Sequence, residues 1–195
     1  MILITTSRRT TRRTNSFVKE LWRLIPSDRL TRGKLSIKGL AAEALIRGIN
    51  KFLVINTLKG NPSSIDLYRI VFPQKLDTST LPSEGNIKVL RVCRIVFRGV
   101  SLSRELRHKI CSRDVVYSID STNCRSDACN KLAEILEEIF PIARDVSDRE
   151  RQIIFLEEMS EKNVIIMSMK NHRNESCGPL IRVSKIILFN QELVL

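Results

Sequence analysis

The sequence predicts an α/β fold with mixed sheets, built as two structurally related halves, residues 1–86 and 87–195. Three observations predict it. Short apolar, β-branched runs alternate with longer stretches whose apolar residues recur at three- and four-residue spacing, the signatures of buried strands and of one-sided helices. The order strand, polar loop, helix, proline occurs twice, ending at Pro26 and at Pro141. At 195 residues and 43% hydrophobic content, the chain can bury a proper core.

Met1 to Ile4 is an apolar run short enough for a buried strand. Phe17, Val18, Leu21, Trp22 and Ile25 then share one helical face up to the stop at Pro26. Between them lies a polar loop with Arg8, Arg9, Arg12 and Arg13 and no acid to balance them. A second basic loop, Ser27 to Lys34, carries Arg29, Arg32 and Lys34. Ser36 is placed to cap a helix with Ile37, Leu40, Ala41, Ala44 and Leu45 on one face, ending at Gly48. Lys51 to Leu58 is a buried strand, Gly60 to Pro62 a turn, and Ile65 to Phe72 the returning strand. Pro73 to Asn86 is loop or linker by composition.

Ile87 to Arg98 is a further strand, with Arg91 on the face opposite Lys88, Arg94 and Arg98. Ser101 to Ser112 is at most locally helical. The opening pattern then recurs. Val115 to Ile119 is a strand, Asp120 to Arg125 a polar loop, and Ser126 caps a helix with Ala128, Leu132, Ile135, Leu136 and Ile139 on one face. Strands over Gln152–Glu157, Asn163–Met169 and Leu180–Phe189 follow, the first two joined by a turn through Ser160 to Lys162. Where the first unit carries arginines, the second helix carries Glu134, Glu137 and Glu138.

Charge separates the halves. The net charge is +12; residues 1–100 hold 19 Lys/Arg against 6 Asp/Glu, a balance of +13, and residues 101–195 hold 14 against 15, a balance of −1. Such asymmetry points to a polyanionic partner for one face. No apolar run reaches the roughly 18 residues of a membrane span. The five cysteines are an odd number, which with no export signal favours an intracellular, cytoplasmic chain with mostly reduced thiols. Cys93 falls within a strand pattern and is expected in the core. Cys124 and Cys129 flank a helix start, but a zinc site needs two further ligands of recognised spacing, and none is offered. A disulfide is the alternative should the source be a hyperthermophile.

Catalytic constellations are lacking. Two histidines lie in polar stretches, no phosphate-binding glycine motif occurs, and the basic half holds too few acids for a metal-dependent nuclease. The chain is expected to be no enzyme and to need no cofactor or metal. Aromatic content of 5% is low for base stacking, so contacts to a nucleic acid would run through backbone phosphates. A cationic loop followed by a helix N-terminus is a sound anion site, because guanidiniums and unpaired amide N–H groups converge on it.

The residues that carry this loop also resemble a known family. Ile4 to Arg9 (ITTSRR), Thr11 to Thr14 (TRRT), Ser16 to Leu21 (SFVKEL), Ile25-Pro26, Arg32-Gly33-Lys34 and Leu58 to Pro62 (LKGNP) are similar to the archaeal Brix domain proteins. One departure is Thr10, where the family often has proline. The resemblance implies a single Brix-type domain over residues 1–195, with each half similar to the anticodon-binding domain of class II aminoacyl-tRNA synthetases. It further implies a non-enzymatic ribosome-biogenesis factor that binds ribosomal RNA or its precursor, with ribosomal or assembly proteins as further partners and no membrane. The expected RNA-binding residues are Ser7, Arg8, Arg9, Arg12, Arg13, Arg32, Lys34 and Lys59. The competing expectation is a basic interaction module that docks an acidic protein without RNA specificity.

Overall fold

The computed structural model of the chain describes residues 1–71, 88–109, 111, 116–140, 151–159, 164–171, 173–189 and 192–193. Within them the elements are β1 (Ile2–Thr6), α1 (Arg12–Leu24), β2 (Ser27–Arg29), α2 (Ile37–Ile46), β3 (Lys51–Leu58), β4 (Asn61–Val71), β5 (Lys88–Ser101), α3 (Ser103–Leu106), β6 (Val116–Asn123), α4 (Asp127–Ile139), β7 (Arg151–Met159), β8 (Val164–Lys170), β9 (Ser176–Leu188) and β10 (Glu192–Leu193). The loop expected over Pro73–Asn86, the helix stop at Pro141 and the turn through Ser160 to Lys162 lie outside the described residues.

The strands form one mixed sheet in the order β2-β1-β3-β4-β5-β9-β8-β7-β6, with β10 pairing on β5. β1 runs parallel to β2 and β3, β6 runs parallel to β7, and the other pairs are antiparallel. Outwards from the β5–β9 seam, the order mirrors itself. β1, α1, β3, β4 and β5 occupy the places that β6, α4, β7, β8 and β9 occupy on the other side.

Side-chain alternation divides β3 cleanly. Leu53 and Ile55 face a core shared with Phe17, Val18 and Leu21 of α1 and Leu132, Leu136 and Ile139 of α4. Phe52 and Val54 face a second cluster with Leu40, Ala41 and Ala44 of α2. Thus α1 and α4 share one face of the sheet, while α2 covers part of the other. The caps fall where the hydroxyls stand: Thr11, Ser36 and Ser126 each accept from the backbone N–H three residues on, satisfying a donor the helix leaves open.

Several expectations need correction. Ser27–Arg29 is no loop: it pairs in parallel with Ile2–Ile4, held by backbone bonds that its polar side chains do not advertise. Trp22 is only half-buried, its indole N–H donating to the Ser27 carbonyl at 3.0 Å. The β3–β4 hairpin turns at Lys59 and Gly60, both at positive φ (48° and 83°), as the tightest hairpins demand. The returning strand therefore begins at Asn61, and Pro62 sits beside a register shift, where its missing N–H does little harm.

Arg91 does not oppose Arg94. The ladder jumps from Leu67↔Cys93 to Tyr68↔Arg91, and this bulge at Val92 turns both arginines toward Asp66. On α4, Cys129 is buried and Ala128 exposed. β6 continues through the expected polar loop to Asn123, and β9 begins at Ser176 rather than Leu180.

The thiols are not mostly reduced. Cys111 pairs with Cys177 and Cys124 with Cys129, at Cα separations of 5.1 and 5.3 Å, both within the reach of a bridge. Cys93 remains as a free, buried thiol. No helix among the described residues is long and apolar enough to cross a membrane.

Candidate nucleic-acid interface

The loop between β1 and α1 is built from its backbone outward. Ser7 N–H donates to the Ile55 carbonyl at 2.8 Å, carrying the β1–β3 ladder one residue past the strand. Ser7 Oγ then donates to the Arg9 carbonyl at 2.9 Å, turning the chain. Thr11 Oγ1 accepts from Thr14 N–H at 3.3 Å and donates to the Gly60 carbonyl at 2.8 Å. The same hydroxyl that caps α1 thus fastens the Lys59-Gly60 hairpin against the helix start.

The first turn of α1 contains no acid. Arg12 and Arg13 instead oppose the positive end of the helix dipole, at a cost of about 0.3–1 kcal/mol for each exposed charge. Arg13 is compensated. Its guanidinium pairs with Glu105, one contact being 2.8 Å, and donates to the Val100 carbonyl at 3.0 Å. Burial would push the Glu105 carboxyl up, but the Arg13 guanidinium and the Leu102 N–H hold it below the usual carboxylate range. Arg13 is therefore a strut between α1 and the β5–α3 corner. Arg12 is exposed and has no such partner among the described residues.

The remaining expected residues divide into neighbourhoods. Arg8 and Arg32 line one open groove of about 440 Å³, together with Ser7, Asn15, Lys19, Arg29 and Gly33. No carboxylate lines it. The Arg32 guanidinium lies below its ordinary pKa, first through burial and then through the Arg8 charge, so the two cations repel across the groove. Nε of Arg32 donates to the Leu35 carbonyl at 3.1 Å, which fixes its aim. Arg9 and Lys34 are exposed beside the groove without lining it. Lys59 lies in a neighbouring groove of about 300 Å³ with Asn61, Phe97 and Arg98, linked to the first through Thr11.

Lys19 was not anticipated, although Arg12, Asn15 and Lys19 follow helical spacing, which was the available signal. Arg29 belongs to the groove because β2 pairs with β1, a tertiary fact.

What this arrangement can do is hold anions: several aimed cations, a helix start free of acids, and no cluster of metal-binding side chains among the described residues. The fold and the groove together define a mixed-sheet α/β protein with a carboxylate-free basic groove at the start of α1. Comparison with known proteins narrows the class. No family model matches the chain. It is 39% identical over 105 residues to an Aeropyrum pernix protein described as a "Probable Brix domain-containing ribosomal biogenesis protein", and 49% identical over 71 residues to one so described in Pyrococcus horikoshii. Those stretches make up 53% and 36% of this chain. The match spans about half the length of the first relative (51%) and a third of the second (32%).

In structure, the chain is similar to the crystal structure of a probable ribosomal biogenesis protein from Aeropyrum pernix. The TM-score is 0.73 at 26% identity, over 94% of this chain and 95% of that one. An archaeal Imp4-like protein shares the fold with a TM-score of 0.65 at 18% identity, over 97% and 100%. The chain is thus similar in sequence to archaeal Brix domain-containing proteins over about half its length, and in fold to an archaeal ribosomal biogenesis protein over nearly all of it.

Proposed function

We propose that this chain is a ribosome-biogenesis factor that binds ribosomal RNA or its precursor through the phosphate backbone. The observation that carries the reading is the groove at the start of α1, where Arg8, Arg29, Arg32 and Lys19 converge with no carboxylate among them. Like charges held together cost energy unless an anion joins them, and a polynucleotide supplies anions at regular spacing. The names of the relatives supply the biological setting, ribosome biogenesis. Ser7, Arg8, Arg9, Arg12, Arg32, Lys34 and Lys59 form the contact set together with Lys19 and Arg29 of the groove, with Arg13 as a positioning residue.

The factor acts by binding rather than by catalysis, in the cytoplasm, with ribosomal or assembly proteins as further partners. The whole chain is one Brix-type domain. The mirrored order of the sheet supports descent of its halves from one duplicated unit, similar to the anticodon-binding domain of class II aminoacyl-tRNA synthetases.

The test is RNA affinity measured across a salt series. The Arg8→Ala/Arg9→Ala variant should bind all RNA sequences more weakly and lower the slope of log affinity against log salt by about 1 for each phosphate no longer neutralised. An unchanged slope would overturn the reading.

A further inference from the structure

The Asp66 carboxylate, 2% exposed, is the centre of a polar cluster on the α2 side of the sheet. Arg94 donates to it through Nε at 2.6 Å and Nη2 at 2.8 Å, Arg91 Nη2 donates at 2.8 Å, and Asn56 Nδ2 donates at 2.9 Å. Burial would raise this carboxyl's pKa, but the bonds from Arg94, Arg91 and Asn56 outweigh it and hold it below the usual range. It is ionised at neutral pH. One guanidinium suffices to neutralise one carboxylate. Here there are two, so one positive charge is left over, and neither arginine meets a second carboxylate among the described residues.

Sheet register places that surplus charge relative to the groove. Thr5, Val54, Asp66 and Arg94 are successive partners in one row across β1, β3, β4 and β5. The row covers three strand spacings, about 14 Å at about 4.8 Å each. At its β1 end, Thr5 Oγ1 donates to the Leu30 carbonyl at 2.8 Å, fixing the segment that carries Arg29 and Arg32. Burial, and then the Asp66 charge, push the nearby Tyr68 phenol up, against the pull of Arg91, Arg94 and Arg32. Val54 and Tyr68 belong to the apolar cluster beneath α2. Arg94 and Arg91 keep 35% and 20% of their side-chain surface in solvent, and the Arg91 guanidinium lies 4.1 Å over the Phe189 ring.

Thr5, Val54 and Asp66 are buried, so the row offers a contact only at its exposed end: we infer that Arg94 and Arg91 extend the phosphate-binding track of an RNA seated at Arg8 and Arg32. The inference rests on the RNA-binding reading above and extends it from one loop to a second contact on β5, three strand spacings or about 14 Å from β1. Asp66 has the role of a clamp. It accepts from one edge of each guanidinium while each side chain keeps part of its surface in solvent, so the arginines are ordered before RNA arrives.

The variant Asp66→Asn/Arg91→Gln/Arg94→Gln removes the surplus charge while leaving no buried ion unpaired. Binding to a fluorescein-labelled RNA hairpin with single-stranded flanks should weaken about fivefold near physiological salt, with the salt slope falling by about 1. A folded variant that binds as the unaltered chain does overturns the track and leaves the groove standing. Should Arg8→Ala/Arg9→Ala also bind unchanged, the RNA reading itself fails. Arginine footprinting of the unaltered protein with a dicarbonyl reagent decides the matter if the variant does not fold. RNA should protect Arg94 from modification. No protection, or protection by polyglutamate and not by RNA, overturns the inference, the latter in favour of an acidic protein partner.

Discussion

Glu138 of α4 accepts a hydrogen bond from the Arg69 guanidinium of β4 at 2.6 Å and forms an ion pair with Lys51 of β3 at 3.2 Å. An acid of the near-neutral half is thereby spent on the basic half. Its neighbours Glu134 and Glu137 are turned further toward solvent, as an outer helix face predicts.

That relationship has a pH signature. Burial would raise the Glu138 carboxyl, but Arg69 and Lys51 hold it below the usual range. A depressed pKa adds stability above the unfolded value, and this is lost as pH falls through the folded one. Glu138→Gln should cost about 1 kcal/mol at neutral pH. The difference from the unaltered chain should shrink as pH falls below the ordinary glutamate pKa and vanish below the depressed one of the folded chain. Urea titrations at both pH values check it, and a difference that persists in acid would rule the ion pairs out as its source.

Arg12 and Arg13 are adjacent in sequence and separate in role. Arg13→Ala should lower stability by about 1 kcal/mol, because the bonds to Glu105 and Val100 go with the guanidinium, leaving RNA affinity within about twofold. Arg12→Ala should do the reverse, weakening RNA binding by about fivefold at physiological salt with denaturation unchanged. Equal effects of the two on RNA affinity would return Arg13 to the contact set.

Lys59 occupies a backbone conformation that costs a side chain with a Cβ about 1 kcal/mol. Lys59→Gly should therefore raise the unfolding free energy by several tenths of a kcal/mol, while removing a cation and lowering the RNA salt slope by about 1. A residue retained against stability for the sake of binding behaves in this way. If Lys59→Gly stabilises and the slope stays fixed, Lys59 makes no phosphate contact.

The thiols can be counted. Burial, and then the nearby Glu138 and Asp66 charges, push the Cys93 thiol up to about 12. Without reductant, the native chain should release no thiol signal to an alkylating reagent, and one per chain in denaturant. Cys111→Ser/Cys177→Ser should destabilise by about 4 kcal/mol, because that bridge closes a 66-residue separation in the unfolded chain. The five-residue separation of Cys124 and Cys129 predicts about half as much by the same relation. Equal losses would show that loop closure does not govern either bridge.

The parts legible in sequence are those where one side chain or one period decides. Ser36 and Ser126 announce their helices as hydroxyls at the head of an apolar stripe, and Lys51–Leu58 announces a strand with both its bounds as observed. The basic loop is legible because four arginines stand without an acid. What escaped depends on chain segments meeting. Ser27–Arg29 is a strand only because β1 lies beside it, and Arg29 lines the groove for the same reason. A period of two puts Arg91 on the wrong face because one bulged residue resets the count. Arg13 looks like its neighbours until Glu105, 92 positions on, claims it.

The β5–β9 seam also sets an order of events for the growing chain. β1, β3, β4 and β5 are complete once Ser101 has been made, whereas β9 begins only at Ser176. During that interval the 14-residue β5 is the open border of a finished half-sheet, with backbone donors and acceptors that other chains can zip onto. A nascent chain stalled between these points is the form of this protein most exposed to aggregation, and β9 is the piece that closes it.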